Sequence, residues 1–181
     1  MEDYITFWDY ILVPIYFGLI LFLAAIFKHK YVAMYPEFKY FTWGIFLKLV
    51  GVIAFGLVYV YYYEGGDTVN YYDGTLAVAN MFTHDFGVFW DIVFMNDLSH
   101  TSYLAFDINT GWPHTYMWRD TETFAVSRYA ALFALVGFKS FWVTSMLTAC
   151  FSYLGIWKLY RLFNIIYPGN STAFNLSCGS N

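Results

Sequence analysis

Apolar residues along this chain come in long blocks rather than in alternation. Tyr10 to Phe27 is eighteen residues without a charge. At about 1.5 Å rise per residue such a helix nearly crosses a hydrocarbon core about 30 Å thick. Phe7 and Trp8 add slack, and Lys28, His29 and Lys30 end the run. Pro14 falls one turn in, where its missing donor costs least. A second block, Tyr40 to Tyr63, carries only Lys48. That lysine is near enough to an end to snorkel to the headgroups, and the tyrosines at 59–63 have the character of an interfacial belt. A third block, Ser140 to Trp157, lies between Lys139 and Lys158. The pattern predicts an all-α polytopic membrane protein with three transmembrane helices, at about 8–28, 41–63 and 139–167.

Between the second and third blocks the pattern changes. With Asn70 at zero on a wheel of about 100° per residue, Asp67, Asn70, Asp73, Asn80 and His84 share one arc about 140° wide. Gly74 and Ala77 lie in it, while Val69, Tyr71, Tyr72, Leu76, Val78, Ala79 and Phe82 lie opposite; Met81 breaks the pattern. This predicts an amphipathic helix over 67–84, directly after a membrane exit. Gly65 and Gly66 supply the sharp bend such an exit needs. Asp67 then stands at the helix start, where a carboxylate caps and is favoured by the helix dipole. The apolar face suits the headgroup region, and the polar face suits a cavity.

Phe124–Phe138 is apolar except for Ser127 and Arg128, and is short for a span. It reads as a helix at 122–137, interfacial or re-entrant, started by Asp120 or Thr121 with Glu122 in the first turn. A crossing there would make a fourth span. "VGFKS" turns it into the third span, "GWPHTYMWRDTE" (111–122) reads as a loop, and Phe86, Phe89, Trp90, Val93 and Phe94 form a further apolar face. The chain thus divides into a transmembrane hairpin (1–66), an extracytoplasmic segment (67–138), a third span (139–167) and a polar tail (168–181). The tail has no periodicity; its two sequons at Asn170 and Asn175 fall on the inner side.

Charge orients the scheme. Lys28, Lys30 and Lys39 separate the first two spans, and Lys158 and Arg161 follow the third, so those ends are cytoplasmic and the N-terminus is outside. Residues 64–122 hold nine of the thirteen acids and one base, Arg119. No basic stripe supports nucleic-acid binding. The acidic start is unlike a secretory signal. Cys150 in an apolar run and Cys178 in the tail do not make a disulfide pair. His84, His100 and His114 match no tight metal motif, and the calcium-loop pattern fails at Val69 and Tyr71. The spans are nearly free of polar groups apart from Lys48, which weakens a transporter reading.

The order of span, basic inner loop, span, then "GGDTVNYYDG" (65–74) resembles the first part of membrane glycosyltransferases of the class C fold and the related oligosaccharide polymerases. The stretch "RYAALFALVGFKSFWVTSMLTACFSYLGIWKLYRLF" (128–163) resembles large polytopic bacterial membrane proteins of that kind. The resemblance implies a bacterial plasma-membrane protein acting on a polyprenyl-linked sugar at the outer face. It implies an acidic residue of the first outer loop as base or metal ligand: Asp67, with Asp73 second, and a divalent cation such as Mg or Mn. Arg128, or Arg119, would face the lipid phosphate, with Asn70 and His84 beside the substrate. These enzymes have many more spans, so an N-terminal portion is expected. The rival expectations are that Asp67 only caps a helix, that both arginines only snorkel or pair with acids, and that the chain is a non-catalytic subunit docking a membrane partner.

Overall fold

In the computed structural model, residues 4–63 and 65–167 are described, and they form helices and turns without strands. The predicted tail at 168–181 lies outside the described residues. Helices α1 (Asp9–Tyr31) and α2 (Phe41–Leu57) are joined by a 3-10 turn at Pro36–Tyr40, and α2 runs on through a π-helical turn at Val58–Tyr62. Then come α3 (Asp67–His84), α4 (Phe86–Phe94), α5 (His100–Leu104), α6 (Thr115–Arg119), α7 (Thr121–Val136) and α8 (Phe141–Ile166). Among the described residues two helices, Asp9–Tyr31 and Pro36–Tyr62, are long and apolar enough to cross a membrane. The pair α7–α8, bent by 115° at its break, is the third candidate. The chain is therefore an all-helical protein with two or three potential spans.

Helices α1, α2 and α8 pack as a bundle around Ile20, Ala24, Phe41, Ile45, Leu49, Met146, Tyr153 and Trp157. Close approach of α2 and α8 depends on two glycines. A Cβ on Gly44 would overlap the Tyr153 hydroxyl, and one on Gly56 would stand 2.8 Å from the Trp142 ring. The Tyr153 hydroxyl instead donates to the Phe41 carbonyl at 3.1 Å, which satisfies it inside the bundle.

The two ends of the bundle differ. At one end Arg161 pairs with Glu37 at 3.2 Å and lies 4.3 Å over the Tyr35 ring. The Lys28–Lys30 end of α1 and the Lys39 turn are there too, so both basic clusters share this basic end. At the other end, α1 and α8 begin side by side: Ser140 donates to Asp9 at 2.5 Å, and the Trp142 indole donates to the Tyr4 carbonyl at 2.9 Å. The remaining helices, α3 to α7, form a layer attached at this acidic end.

The layer has its own core, centred on Ala77, Val78, Met81, Phe89, Ile92, Met117, Trp118, Phe124, Ala131 and Ala134. Small residues bring α3 and α7 together; a Cβ on Gly74 would lie 3.1 Å from the Ser127 hydroxyl, which donates to the Tyr71 carbonyl at 3.0 Å. Helix α3 has the predicted bounds, and the bend before it uses both glycines in positive φ, 147° at Gly65 and 103° at Gly66. Three local expectations change. Gly66, not Asp67, is the N-cap of α3; Asp67 is the first helical residue and its side chain makes no cap. Part of the 111–122 loop is helical, at Thr115–Arg119. The Phe86–Phe94 aromatics do not form one face: Phe89 and Val93 are buried in the layer core, while Phe86, Trp90 and Phe94 are exposed. Asp120 caps α7 as anticipated, accepting from the Glu122 N–H at 3.2 Å, and Phe138 and Lys139 make the turn into α8 with positive φ.

Candidate functional site

The polar arc of α3 meets protein. Asn70 donates to the Tyr116 hydroxyl at 3.1 Å, His114 stands 3.9 Å from Asp73, Asn80 donates to the Thr110 carbonyl at 3.1 Å, and His84 lies 3.6 Å from Asp107. Going down α3, the partners run backwards through 116, 114, 110 and 107. The segment 107–116 is thus laid antiparallel along α3 and tied to it at four points. The tight turn at its far end is built by Asp107, which accepts from the N–H groups of Asn109 (2.8 Å) and Thr110 (3.0 Å). The Thr110 N–H, helped by Asn109 and by His84, holds the Asp107 carboxyl below the usual carboxylate range. The Ser102 hydroxyl and the Ser99 N–H do the same for Asp97, and the Thr123 hydroxyl does it for Asp120.

Asp67 is different. It is exposed at the start of α3, and among the described residues no hydrogen bond or ion pair reaches its carboxylate. The arginines also separate. Arg128 is buried at 5% exposure, and its Nη1 donates to the Ile92 carbonyl at 3.1 Å, in the last turn of α4. That is the position where a cation satisfies an orphan carbonyl and complements a helix dipole. Arg119 is exposed at the end of α6. The structure therefore brings Asn70, Asp73 and His84 together along one seam, and among the described residues Asp67 makes no ion pair with Arg119 or Arg128.

Two cavities flank this arrangement. One, of about 770 Å³, lies where α1 and α8 begin and is lined by Tyr4, Thr6, Trp8, Asp9, Tyr72, Leu76, Lys139, Ser140 and Phe141 among others. Its acid, Asp9, is buried at 5% exposure. One oxygen accepts from the N–H and hydroxyl of Thr6 (2.7 and 2.8 Å), the other from Ser140. Tyr72 donates to the Lys139 carbonyl at 2.5 Å, which fixes the wall between α3 and the α7–α8 turn. Asp9 has no motif around it; the only signal in the sequence is an acid one residue before an apolar span, a place where a charge needs a partner. The second cavity, about 540 Å³, lies beside the first and shares its Tyr72 and Phe141 wall. It runs down between α2 and α8 to Lys48.

No family model, curated protein or solved structure matches this chain. Among the described residues no group of three His, Cys, Asp or Glu side chains is placed to hold a metal ion.

Proposed function

We propose that the protein is a glycosyltransferase-like membrane protein that acts on a polyprenyl-linked sugar at the outer face, with the acidic end of the bundle outermost. The observation that carries this reading is the cavity at the acidic end. It joins aromatic rings (Tyr4, Trp8, Tyr72, Phe141), hydroxyls (Thr6, Ser140) and a carboxylate (Asp9) in one hollow, with Lys139 at its wall. Ring faces and fixed hydroxyls suit a sugar, and the Lys139 ammonium suits a phosphate. The hollow lies where the first apolar span begins, so a carrier's chain could stay in lipid while its head enters.

Helix α3 supplies both the wall of this hollow, through Tyr72 and Leu76, and the exposed Asp67 at its start. Five residues of helix separate Asp67 from Tyr72, about 8 Å along the axis and about 140° around it, so the acceptor would reach Asp67 round the start of α3. In the proposed reaction the Asp67 carboxylate takes the proton of the acceptor hydroxyl. The acceptor oxygen forms a bond to the anomeric carbon, the bond from that carbon to the phosphate oxygen breaks, and the phosphate leaves on its lipid. Lys139, rather than the buried Arg128, faces the developing negative charge. Asp73 and His114 support the 107–116 segment over α3, and the proposed chemistry uses no metal ion.

The test is sugar transfer from a polyprenyl-linked donor by the protein in proteoliposomes. Asp67→Asn should lower the rate by about 10²–10⁴-fold, the usual worth of a general base, with membrane insertion unchanged. A rate within twofold of the wild type would remove Asp67 from this role. One observation favours a second reading, a non-catalytic subunit: the polar arc of α3 is occupied by the chain's own 107–116 segment instead of facing an open hollow. Absence of transfer by the wild type, together with a stable co-purifying membrane partner, would decide for it.

A further inference from the structure

The membrane-depth cavity carries an inference separate from the transferase reading. On α2 it is lined by Leu47, Lys48, Gly51, Val52 and Phe55, and on α8 by Thr144, Ser145, Thr148, Ala149 and Ser152. Both sets have helical spacing, so each is one continuous face. Thr68, Tyr71, Tyr72 and Thr75 of α3, with Val126 and Ala130 of α7, close it toward the acidic end. The register is fixed by Gly44 against Tyr153 and Gly56 against Trp142. Counting four residues on from Gly44 puts Lys48 level with Ala149, between the hydroxyls of Thr148 and Ser152.

Lys48 is the one charged residue lining this hollow. It lies about 10 Å from the start of α2, by helical rise. The lysine expected to reach the nearer headgroups also borders this open-sided hollow. Among the described residues no carboxylate pairs with it. Thr144, 4% exposed, borders the same hollow, and its hydroxyl oxygen is buried with no hydrogen-bond partner among the described residues. A buried hydroxyl and a cation at membrane depth are both costly unless satisfied. The rest of the wall is mostly apolar surface with hydroxyl residues, Thr68, Thr75, Ser145, Thr148 and Ser152, set into it, and the volume falls within the range of small-ligand sites.

We infer that this cavity is a binding site for an anionic group carried on a single apolar chain, with Lys48 facing the anion and the chain lying against Val52, Phe55 and Phe141. The anion is a carboxylate or a phosphate; the shared chemistry is one negative head and one flexible tail.

The test uses the full chain in neutral detergent and cis-parinarate, a fluorescent polyene carboxylate, as the probe. Saturable binding is expected, with displacement by oleate if the site takes carboxylates and by farnesyl phosphate if it takes phosphates; oleyl alcohol, which lacks the charge, should compete at least about tenfold less well. Lys48→Met should weaken probe binding by about tenfold or more, and Lys48→Arg should restore most of it. Lys48→Met removes a membrane-depth charge, so folding is not put at risk. Gly51→Leu gives an independent check: a Cβ there meets nothing within 4 Å, so a larger side chain can enter the hollow and should abolish binding while the helices stay packed. Unchanged binding in both Lys48→Met and Gly51→Leu, or equal competition by oleyl alcohol, would overturn the inference. The assay contains no sugar donor, so its outcome is independent of the transferase reading.

Discussion

The bundle and the layer are both helical, yet they are held together in different ways. In the bundle, polar ties sit mainly at the ends: Asp9 with Ser140 at one, Arg161 with Glu37 at the other. Between them the contacts are aromatic and aliphatic, and the outward faces show Phe22, Leu23, Leu47, Phe151 and Leu154 to the surroundings. In the layer, polar ties run through the middle. Arg128 reaches Ile92, Ser127 reaches Tyr71, and four side chains of α3 hold the 107–116 segment. The contrast follows from the solvent each region is built for. Lipid offers little hydrophobic drive for helices to associate, so the bundle relies on close packing at Gly44 and Gly56. Water offers that drive but competes for every polar group, so the layer pairs its own.

Truncating each core is the strongest way to break this comparison. Phe124 is wholly buried in the layer, 5.0 Å from the Trp118 ring by centroids. Phe124→Ala should cost about 3–5 kcal/mol of stability, as large-to-small changes in water-built cores do. Leu49 is wholly buried in the bundle. Leu49→Ala should cost only about 2 kcal/mol, the low end for its type, because transfer to lipid replaces transfer to water. Both values can be read from reversible unfolding in mixed micelles, and equal costs would erase the distinction.

Glycine substitutions sharpen the bundle half. Gly44→Ala forces the Tyr153 ring aside and should cost about 1–3 kcal/mol. Gly51→Ala, with open space at its Cβ, should stabilise α2 by up to about 1 kcal/mol through helix propensity.

Acid should loosen the layer. Asp97, Asp107 and Asp120 are held below the ordinary carboxylate value by hydrogen bonds in the folded state. Their contribution is therefore complete above the unfolded value, about pH 3.9, and is lost as pH falls through the lower folded values. Proteolysis of the 97–120 segment should rise over that window. The smallest expected effect is at the seam. Tyr116→Phe removes the acceptor for Asn70 and should cost about 0.5–1.5 kcal/mol, near the lower bound because both groups are exposed.

Much of the fold was legible because helices in lipid are written as uninterrupted apolar blocks. The first two spans, the Gly-Gly bend, the limits of α3 and the Asp120 cap could all be read from local sequence. The site was less legible, since a helical wheel gives the direction of a side chain but not what lies there. Asn70, Asp73, Asn80 and His84 do share a face, but what covers it is a segment 23 to 46 residues later, a long-range contact that no local pattern encodes. Arg128 was expected to face a lipid phosphate, to snorkel or to pair with an acid; in the fold it is buried and donates to the Ile92 carbonyl. Asp9 and Lys48 gave too little signal singly, and only the pairing of helix ends and faces made cavities around them.

The central claim is that the acidic end of the bundle, with Asp67, faces outward. The most direct measurement is labelling of intact cells with a membrane-impermeant maleimide, in a background carrying Cys150→Ala and Cys178→Ser. Cysteine placed at position 67 should label without permeabilisation, and cysteine at position 30 only after it. Labelling in the reverse order would contradict the account.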